Sequence, residues 1–147
     1  MSTEHQELDD DVAALLRAAD QRYTRGRRKI VTALREGGGP MTIPQILETN
    51  RSLAQSSVYR NLVILEEVGA VTRIVTRDDF ARYELAEDLT EHHHHLICSA
   101  CGDVSDFSLG PKIELDLERA LRSVARRADY DLEEHRLDLV GLCPSCR

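Results

Sequence analysis

Two Cys-x-x-Cys pairs, Cys98 with Cys101 and Cys143 with Cys146, constrain this chain more than any other feature, because thiols at this spacing form a metal site or disulfides. The start of the chain argues against a disulfide-forming compartment. Its first dozen residues carry Glu4, Glu7, Asp9, Asp10 and Asp11, where a signal peptide is basic and then apolar, and no window approaches the ~18 apolar residues of a membrane span. The expected location is the cytosol, with no membrane association. There thiols stay reduced, and paired cysteines favour metal over disulfides. Four soft ligands in a tetrahedron suit a closed structural zinc site. The 41 residues between the pairs are too many for a compact finger, so the metal is expected to clip together the first and last strands of a small domain. Gly102 and Pro144 flank the pairs and suit tight knuckles that bring backbone amides to the sulfurs.

A chain of 147 residues can bury one ordinary core or two small ones. Its net charge of -7 argues against a nucleic-acid binder until it is divided along the sequence. From Arg17 to Arg77 there are eleven Arg or Lys against five Asp or Glu, a balance of +6, so the remainder carries -13. A basic half and an acidic half imply a DNA-facing module and a second module with another task.

The apolar pattern agrees with this division. The acidic start, Met1 to about Glu7, reads as a frayed tail, and Val12, Leu15, Leu16 and Ala19 then recur at helical spacing. Thr24 can cap a second helix containing Ile30, Val31 and Leu34, which Gly37-Gly38-Gly39-Pro40 stops. Thr42 can cap a third, with Ile43, Ile46 and Leu47 inside. After a polar turn from Ser52 to Gln55, Ser56 can cap a fourth, with Val58, Leu62, Leu65 and Val68 on one face and Gly69 at its end. Short helices with tight turns make a helix-turn-helix core. Val71 to Val75 and Ala81 to Leu85 then read as a hairpin turning at Arg77-Asp78-Asp79, the wing. Beyond it come an acidic linker, Ala86 to Thr90, and an extended stretch from His92 to Cys98. A strand from Val104 to Phe107 follows, then a helix with Ile113, Leu117, Ala120, Leu121 and Val124 inside, and a closing strand from Arg136 to Leu142. The expected fold is α+β: a winged helix-turn-helix domain over residues 8–85, a hinge over 86–91 and a small α/β zinc-containing dimerisation domain over 92–147.

His92-His93-His94-His95 leads straight into the first cysteine pair. In a strand, alternate side chains face opposite ways, so His92 and His94 point to one side and His93 and His95 to the other. One strand can thus feed two metal sites. Glu84, Asp106, Glu118 and His135 are candidates to complete them, and mixed nitrogen and oxygen ligands suit Zn, Fe, Mn or Ni alike. In the basic half, Ser57, Tyr59 and Arg60 lie on the first turns of the fourth helix, opposite its apolar face, where a recognition helix meets base edges and phosphates.

Several spaced motifs then carry a resemblance over nearly the whole chain. Tyr23-Thr24-x-x-Arg27, Ser57-Val58-Tyr59-Arg60-Asn61-Leu62, Gly69-x-Val71, Tyr83-Glu84-Leu85, His92 to His95 with Leu96-Ile97-Cys98-x-x-Cys101-Gly102, and Gly141-x-Cys143-x-x-Cys146 occur in the order seen in the ferric uptake regulator family. The chain resembles that family, whose members are homodimeric winged-helix repressors that bind a regulatory metal and then palindromic double-stranded operators. The resemblance makes Cys98, Cys101, Cys143 and Cys146 the structural zinc site. It makes Glu84, His93 and His95 the regulatory site, with Asp106 matching a carboxylate used by some peroxide-sensing members. His92, His94, Glu118 and His135 match a second site in the dimerisation domain, with Glu114, one turn earlier on the same helix face, competing with Glu118. Arg22 matches a basic residue that enters the minor groove. The chain departs from iron- and peroxide-sensing members at Gly39-Pro40-Met41, where many place a sensor histidine, and from zinc-sensing members at Thr72 and Ala86.

The implied function is metal-dependent repression, with Zn or Fe as the regulatory ion. Peroxide or thiol redox sensing on the same scaffold is the alternative. A zinc enzyme such as a base deaminase fits poorly: Pro144 follows Cys143 instead of preceding it, and four cysteines leave no open position for a substrate water.

Overall fold

Leu8, Val12 and Leu16 fall four residues apart and are buried on one side of α1 (Thr3–Ala18). The computed structural model describes residues 3–147. The stretch expected to fray is helical from Thr3; Met1 lies outside the described residues. Leu8 extends the buried stripe by a turn, and acidic side chains at a helix N-terminus are favoured by its dipole. Asp9 is also held in place, accepting a 2.6 Å hydrogen bond from Tyr23 and lying 3.3 Å from Arg28, whose guanidinium stacks over the Tyr23 ring.

Thr24 caps α2 (Arg25–Glu36) by accepting the Arg27 N–H at 3.3 Å, and Ile30, Val31, Ala33 and Leu34 turn inward. Thr42 caps α3 (Ile43–Thr49) in a reciprocal box, Gln45 returning a 2.8 Å bond to the Thr42 N–H. α4 (Gln55–Glu67) starts two residues earlier than a Ser56 cap implies. Ala54 occupies the cap and offers no side-chain acceptor, so Ser56 sits exposed on the first turn. Val58, Leu62 and Leu65 are fully buried, and Gly69 takes the left-handed conformation, φ 76°, that ends the helix. The wing strands β1 (Val71–Val75) and β2 (Ala81–Leu85) pair antiparallel, Val71 opposite Leu85. Met41 and Tyr83 exchange backbone bonds of 2.9 and 2.8 Å, which tie the loop before α3 to the wing.

The linker after β2 is not irregular throughout: Glu87–Leu89 forms one 3-10 turn, and Ala86 donates to the Ala70 carbonyl at 3.0 Å. β3 (His94–Cys98) is the centre of a three-stranded sheet, antiparallel to β4 (Val104–Phe107) and parallel to β5 (Asp138–Gly141). β3 begins two residues later than the extended stretch expected from His92, and β5 is shorter than the expected Arg136–Leu142. The helix α5 (Pro111–Arg127) has Pro at its first turn, where no backbone donor is lost. Its apolar periodicity finds no partner among the described residues: Ile113 and Val124 are 60% and 53% exposed, and Val140 on β5 is 61% exposed.

The two sheets approach at their tips. Arg82, on β2 and 6% exposed, grips the turn of the wing through Thr76 at 2.7 Å and both Asp78 carboxylate oxygens at 2.9 and 2.8 Å. Asp78 in turn packs against Gly102 in the turn after Cys101, and Gly39 lies against the Val104 carbonyl of β4. The architecture is α+β, a winged helix-turn-helix followed by a small α/β unit. No helix among the described residues is long and apolar enough to cross a membrane.

Two tests follow from this packing. Leu62→Ala should cost about 2–5 kcal/mol, because Leu62 is fully buried in the helical core and the cavity can close only in part; denaturant unfolding should show a lower midpoint with unchanged slope. Asp78 tests the wing. The Arg82 and Thr76 hydrogen bonds hold its carboxyl well below the usual carboxylate range, so the stability it contributes is present above the unfolded value of about 3.9 and is lost as pH falls below it. The stability difference between the native chain and Asp78→Asn should therefore hold above about pH 5 and shrink as pH falls from there toward about pH 2.

Candidate metal centres and nucleic-acid interface

β3 delivers Cys98 to one end of the sheet, β5 leads to Cys143 at the same end, and two tight turns bring Cys101 and Cys146 back beside them. In those turns Gly102 donates to the Cys98 carbonyl at 3.0 Å and Cys146 to the Cys143 carbonyl at 2.9 Å. The four sulfurs lie within 4.8 Å of one another, Cys101 and Cys143 at 3.9 Å. Thiolates ~2.3 Å from a common ion in a tetrahedron stand ~3.8 Å apart, so the donor set fits zinc. The amides approach as the knuckle requires: Cys143 N–H donates to Cys98 Sγ at 3.4 Å. Backbone bonds from Cys101, Cys143 and Ala100 lower the Cys98 thiol to about 6, which favours the thiolate that ligates metal.

At the other end of β3 the histidines divide between the two faces. On one face, Glu84 Oε2 lies 3.1 Å from His93 Nε2 and 3.1 Å from His95 Nε2. Asp106, which the β3–β4 register places opposite His95, is 3.9 and 3.8 Å from the same two nitrogens. One ligand atom from each of the four residues fits within 4.8 Å. The site therefore joins β2 of the wing to the three-stranded sheet. Burial pushes the Glu84 carboxyl up, but hydrogen bonds from His95 and His93 outweigh it and the net direction is down. Burial holds Asp106 above its ordinary value. The Glu84 bond raises His95 against burial, while for His93 burial is outweighed by bonds to the Glu91 carbonyl and Glu84. A divalent ion would replace those protons. The loop before α3 passes close by, but Gly39 brings no side chain to it: a Cβ there would stand 3.8 Å from Asp106 Oδ1.

On the opposite face the cluster is His92, His94, His135 and Glu114, again within 4.8 Å. Glu118, expected as the helix ligand, is not part of it. It lies one turn further along α5 and pairs with Arg122 at 2.6 Å. Glu114, in the first turn, reaches His92 at 3.0 Å, His94 at 2.9 Å and His135 at 3.1 Å. The His94 bond leads in drawing the Glu114 carboxyl below its ordinary value. Buried His94 Nδ1 and His135 Nε2 have no hydrogen-bond partner among the described residues, the contact of the latter with Glu114 lacking hydrogen-bond geometry. A buried ring nitrogen left bare in this way suits a metal ligand.

The four residues expected at DNA all lie outside the buried core of the winged helix. Tyr59 is 56% exposed, Arg60 and Arg22 are exposed, and Ser57 is half-buried. Sequence reasoning missed how they are positioned. Arg27 is only 7% exposed. It donates to the Arg22 carbonyl, to Gln21 Oε1 at 3.1 Å and to Asn61 Oδ1 at 3.1 Å, and Asn61 donates to Ser57 Oγ at 3.3 Å. The loop carrying Arg22 is thereby pinned to α4. No local signal marks this, because Asn61, one of the Arg27 acceptors, is 34 residues away in sequence.

Comparisons with known proteins settle the lineage. The family model described as "Ferric uptake regulator family" matches residues 18–140. The chain belongs to the ferric uptake regulator family. It is 31% identical over 102 residues to the ferric uptake regulation protein of Legionella pneumophila, covering 69% of this chain and 70% of that one. It is 27% identical to the peroxide-responsive repressor of Staphylococcus aureus over 99% of this chain and 95% of that one. The solved Helicobacter pylori ferric uptake regulator, described as having three functional metal binding sites, superposes with a TM-score of 0.75 at 24% identity, over 97% of this chain and 93% of that one. Members of this family are metal-responsive regulators of transcription.

Gly102 offers a local test of the knuckle. It has φ 75° and an added Cβ would overlap Asp78, so Gly102→Ala should lower stability by about 1–2 kcal/mol from backbone strain alone, seen as an earlier thermal transition.

Proposed function

We propose that this chain is a metal-dependent, DNA-binding transcriptional repressor acting as a homodimer, with residues 8–85 as the DNA-binding domain, 86–91 as the hinge and 92–147 as the dimerisation domain. The observation that carries the reading is Glu84, 3.1 Å from both His93 and His95. A divalent ion held by Glu84, His93, His95 and Asp106 ties the wing to the sheet and fixes the angle between the domains. That angle sets the distance between the two recognition helices of a dimer, which must match half-sites one DNA turn, ~34 Å, apart. Tyr59, Arg60, Ser57 and Arg22 are the DNA contacts.

The dimer is supported by apolar surface that one copy leaves bare. Ile113, Leu115 and Val124 on α5 and Leu139, Val140 and Leu142 at β5 are each about half exposed, and large apolar side chains left bare in this number mark an interaction surface. Zinc at the four cysteines would supply on the order of 10–16 kcal/mol of apparent binding energy, enough to hold a sheet with so small a core. Four thiolates complete the zinc shell and leave no position for a substrate, which favours a regulator over a zinc enzyme.

Zn and Fe both suit the nitrogen and oxygen donors of the regulatory site. Full-length similarity to a peroxide-responsive repressor, together with Asp106 at the site, favours peroxide sensing as the second reading. Mass spectrometry of histidine and cysteine oxidation after mild peroxide treatment of the iron-loaded protein separates the two.

The main reading is tested by operator affinity, measured by fluorescence anisotropy at fixed salt with the cysteine zinc retained. Adding the regulatory metal should tighten binding roughly 5- to 150-fold, and Glu84→Ala should remove most of that gain. Equal affinity with and without the metal would overturn the reading.

A further inference from the structure

The second centre, His92, His94, Glu114 and His135, lies wholly within the sheet unit and has no evident route to the DNA-binding half. One contact supplies it. We propose that Glu87, on the 3-10 turn of the connector, is the outer carboxylate of this centre: it holds the back of the His92 ring, so that metal at the second site also orders the connector. The inference rests on the reading of that cluster as a metal site.

A ligating imidazole binds metal through one nitrogen and presents its other N–H to a carboxylate or carbonyl, which fixes the tautomer and makes the ring a better donor. Three histidines of this chain have that two-sided arrangement. His95 directs Nε2 to Glu84 at 3.1 Å and Nδ1 to Asp138 at 3.3 Å. His93 directs Nε2 to Glu84 at 3.1 Å and Nδ1 to the Glu91 carbonyl at 2.9 Å. His92 directs Nε2 into the second cluster, 3.0 Å from Glu114 Oε1, and Nδ1 to Glu87 Oε1. Asp138 belongs to the sheet itself and Glu91 sits beside its start. Only the acceptor of His92 comes from the turn that leaves the wing.

Glu87 is well placed to pass on what happens at His92. It follows Ala86, whose N–H donates to the Ala70 carbonyl at 3.0 Å, and Ala70 follows the glycine that ends the recognition helix. The turn is closed by bonds from Leu89 to the Ala86 carbonyl at 2.9 Å and from Thr90 to the Glu87 carbonyl at 3.1 Å. A cleft of about 250 Å³ lies between the two histidine centres and is lined by Glu84, Glu87, His93, His94 and His135, so both centres meet the connector at the same place. Without metal the contact has little hold on the connector. The Glu87 and His92 side chains are 39% and 36% exposed, and exposed pairs of this kind contribute almost nothing. Metal on Nε2 fixes the ring and polarises the Nδ1–H, which strengthens the Glu87 bond. By linkage, whatever steadies the connector tightens the second metal to the same degree.

The test uses full-length protein with zinc retained at the cysteines and the regulatory site disabled by Glu84→Ala and His93→Ala. Second-site affinity for Zn²⁺ is measured by chelator competition. Glu87→Ala should lower it roughly 10- to 100-fold, Glu87→Gln, whose amide oxygen still accepts the N–H, should recover part of the loss, and Asp88→Ala on the exposed neighbouring residue should leave it unchanged. Hydrogen exchange supplies a second readout: zinc should slow the amides of residues 87–90 when Glu87 is present and leave them unprotected in Glu87→Ala. Unchanged zinc affinity in Glu87→Ala overturns the role given to Glu87 alone. Absence of a second zinc in the background protein overturns the second-centre reading as well, so the two failures are distinguishable.

Discussion

Because successive side chains of a pleated strand point to opposite faces, four consecutive histidines entering β3 cannot gather round one ion, and the rest of the molecule is arranged to meet them on two sides. On one face the partners come from the wing and β4, on the other from α5 and the segment before β5. The same strand ends at Cys98, so a five-residue element sets the position of all three candidate centres. Its central place in the sheet makes this possible. β4 and β5 pair with it on either edge and fix its register, so that His95 stands opposite both Asp106 and Asp138.

Each histidine cluster gathers carboxylates that neutral imidazoles alone could not hold. Glu84 is 13% exposed and Glu114 22%, and hydrogen bonds with histidine hold both carboxyls below their ordinary range. A divalent cation does this better, with fixed geometry and twice the charge. A chain of net charge -7 also approaches DNA more easily once its acidic pockets hold cations, so filling the sites serves electrostatics as well as shape.

Much of this was legible in the sequence where a single physical rule decided the outcome. The wing strands occupy the β-branched runs expected of them, Thr24 and Thr42 cap as their spacing requires, and the division of the histidines follows from strand periodicity. Where two rules competed, reading failed. Glu114 and Glu118 share a helix face, and only the start of α5 at Pro111 decides which is level with His92 and His94. Ser56 has the better capping chemistry, yet α4 begins after Ala54 because burial of Val58, Leu62 and Leu65 sets the helix start. Arg27 stood out only as a motif residue, and its burial depends in part on an acceptor 34 residues away on α4. The apolar face of α5 was read correctly as a pattern, but nothing among the described residues covers it.

The parallel pairing of β3 with β5 bears on the order in which the molecule assembles. Contacts of the winged helix are mostly local, between helices and hairpin strands adjacent in sequence, and such contacts form quickly. The sheet unit is different. β5 must return past α5 to lie beside β3, and Cys143 must find Cys98 across 45 positions before a four-thiolate site can close. Closing so long a loop is slow, and until it happens β3 has one open edge. A newly made chain therefore completes the half assigned to DNA before the half assigned to metal, and the second must be finished before the first can be regulated.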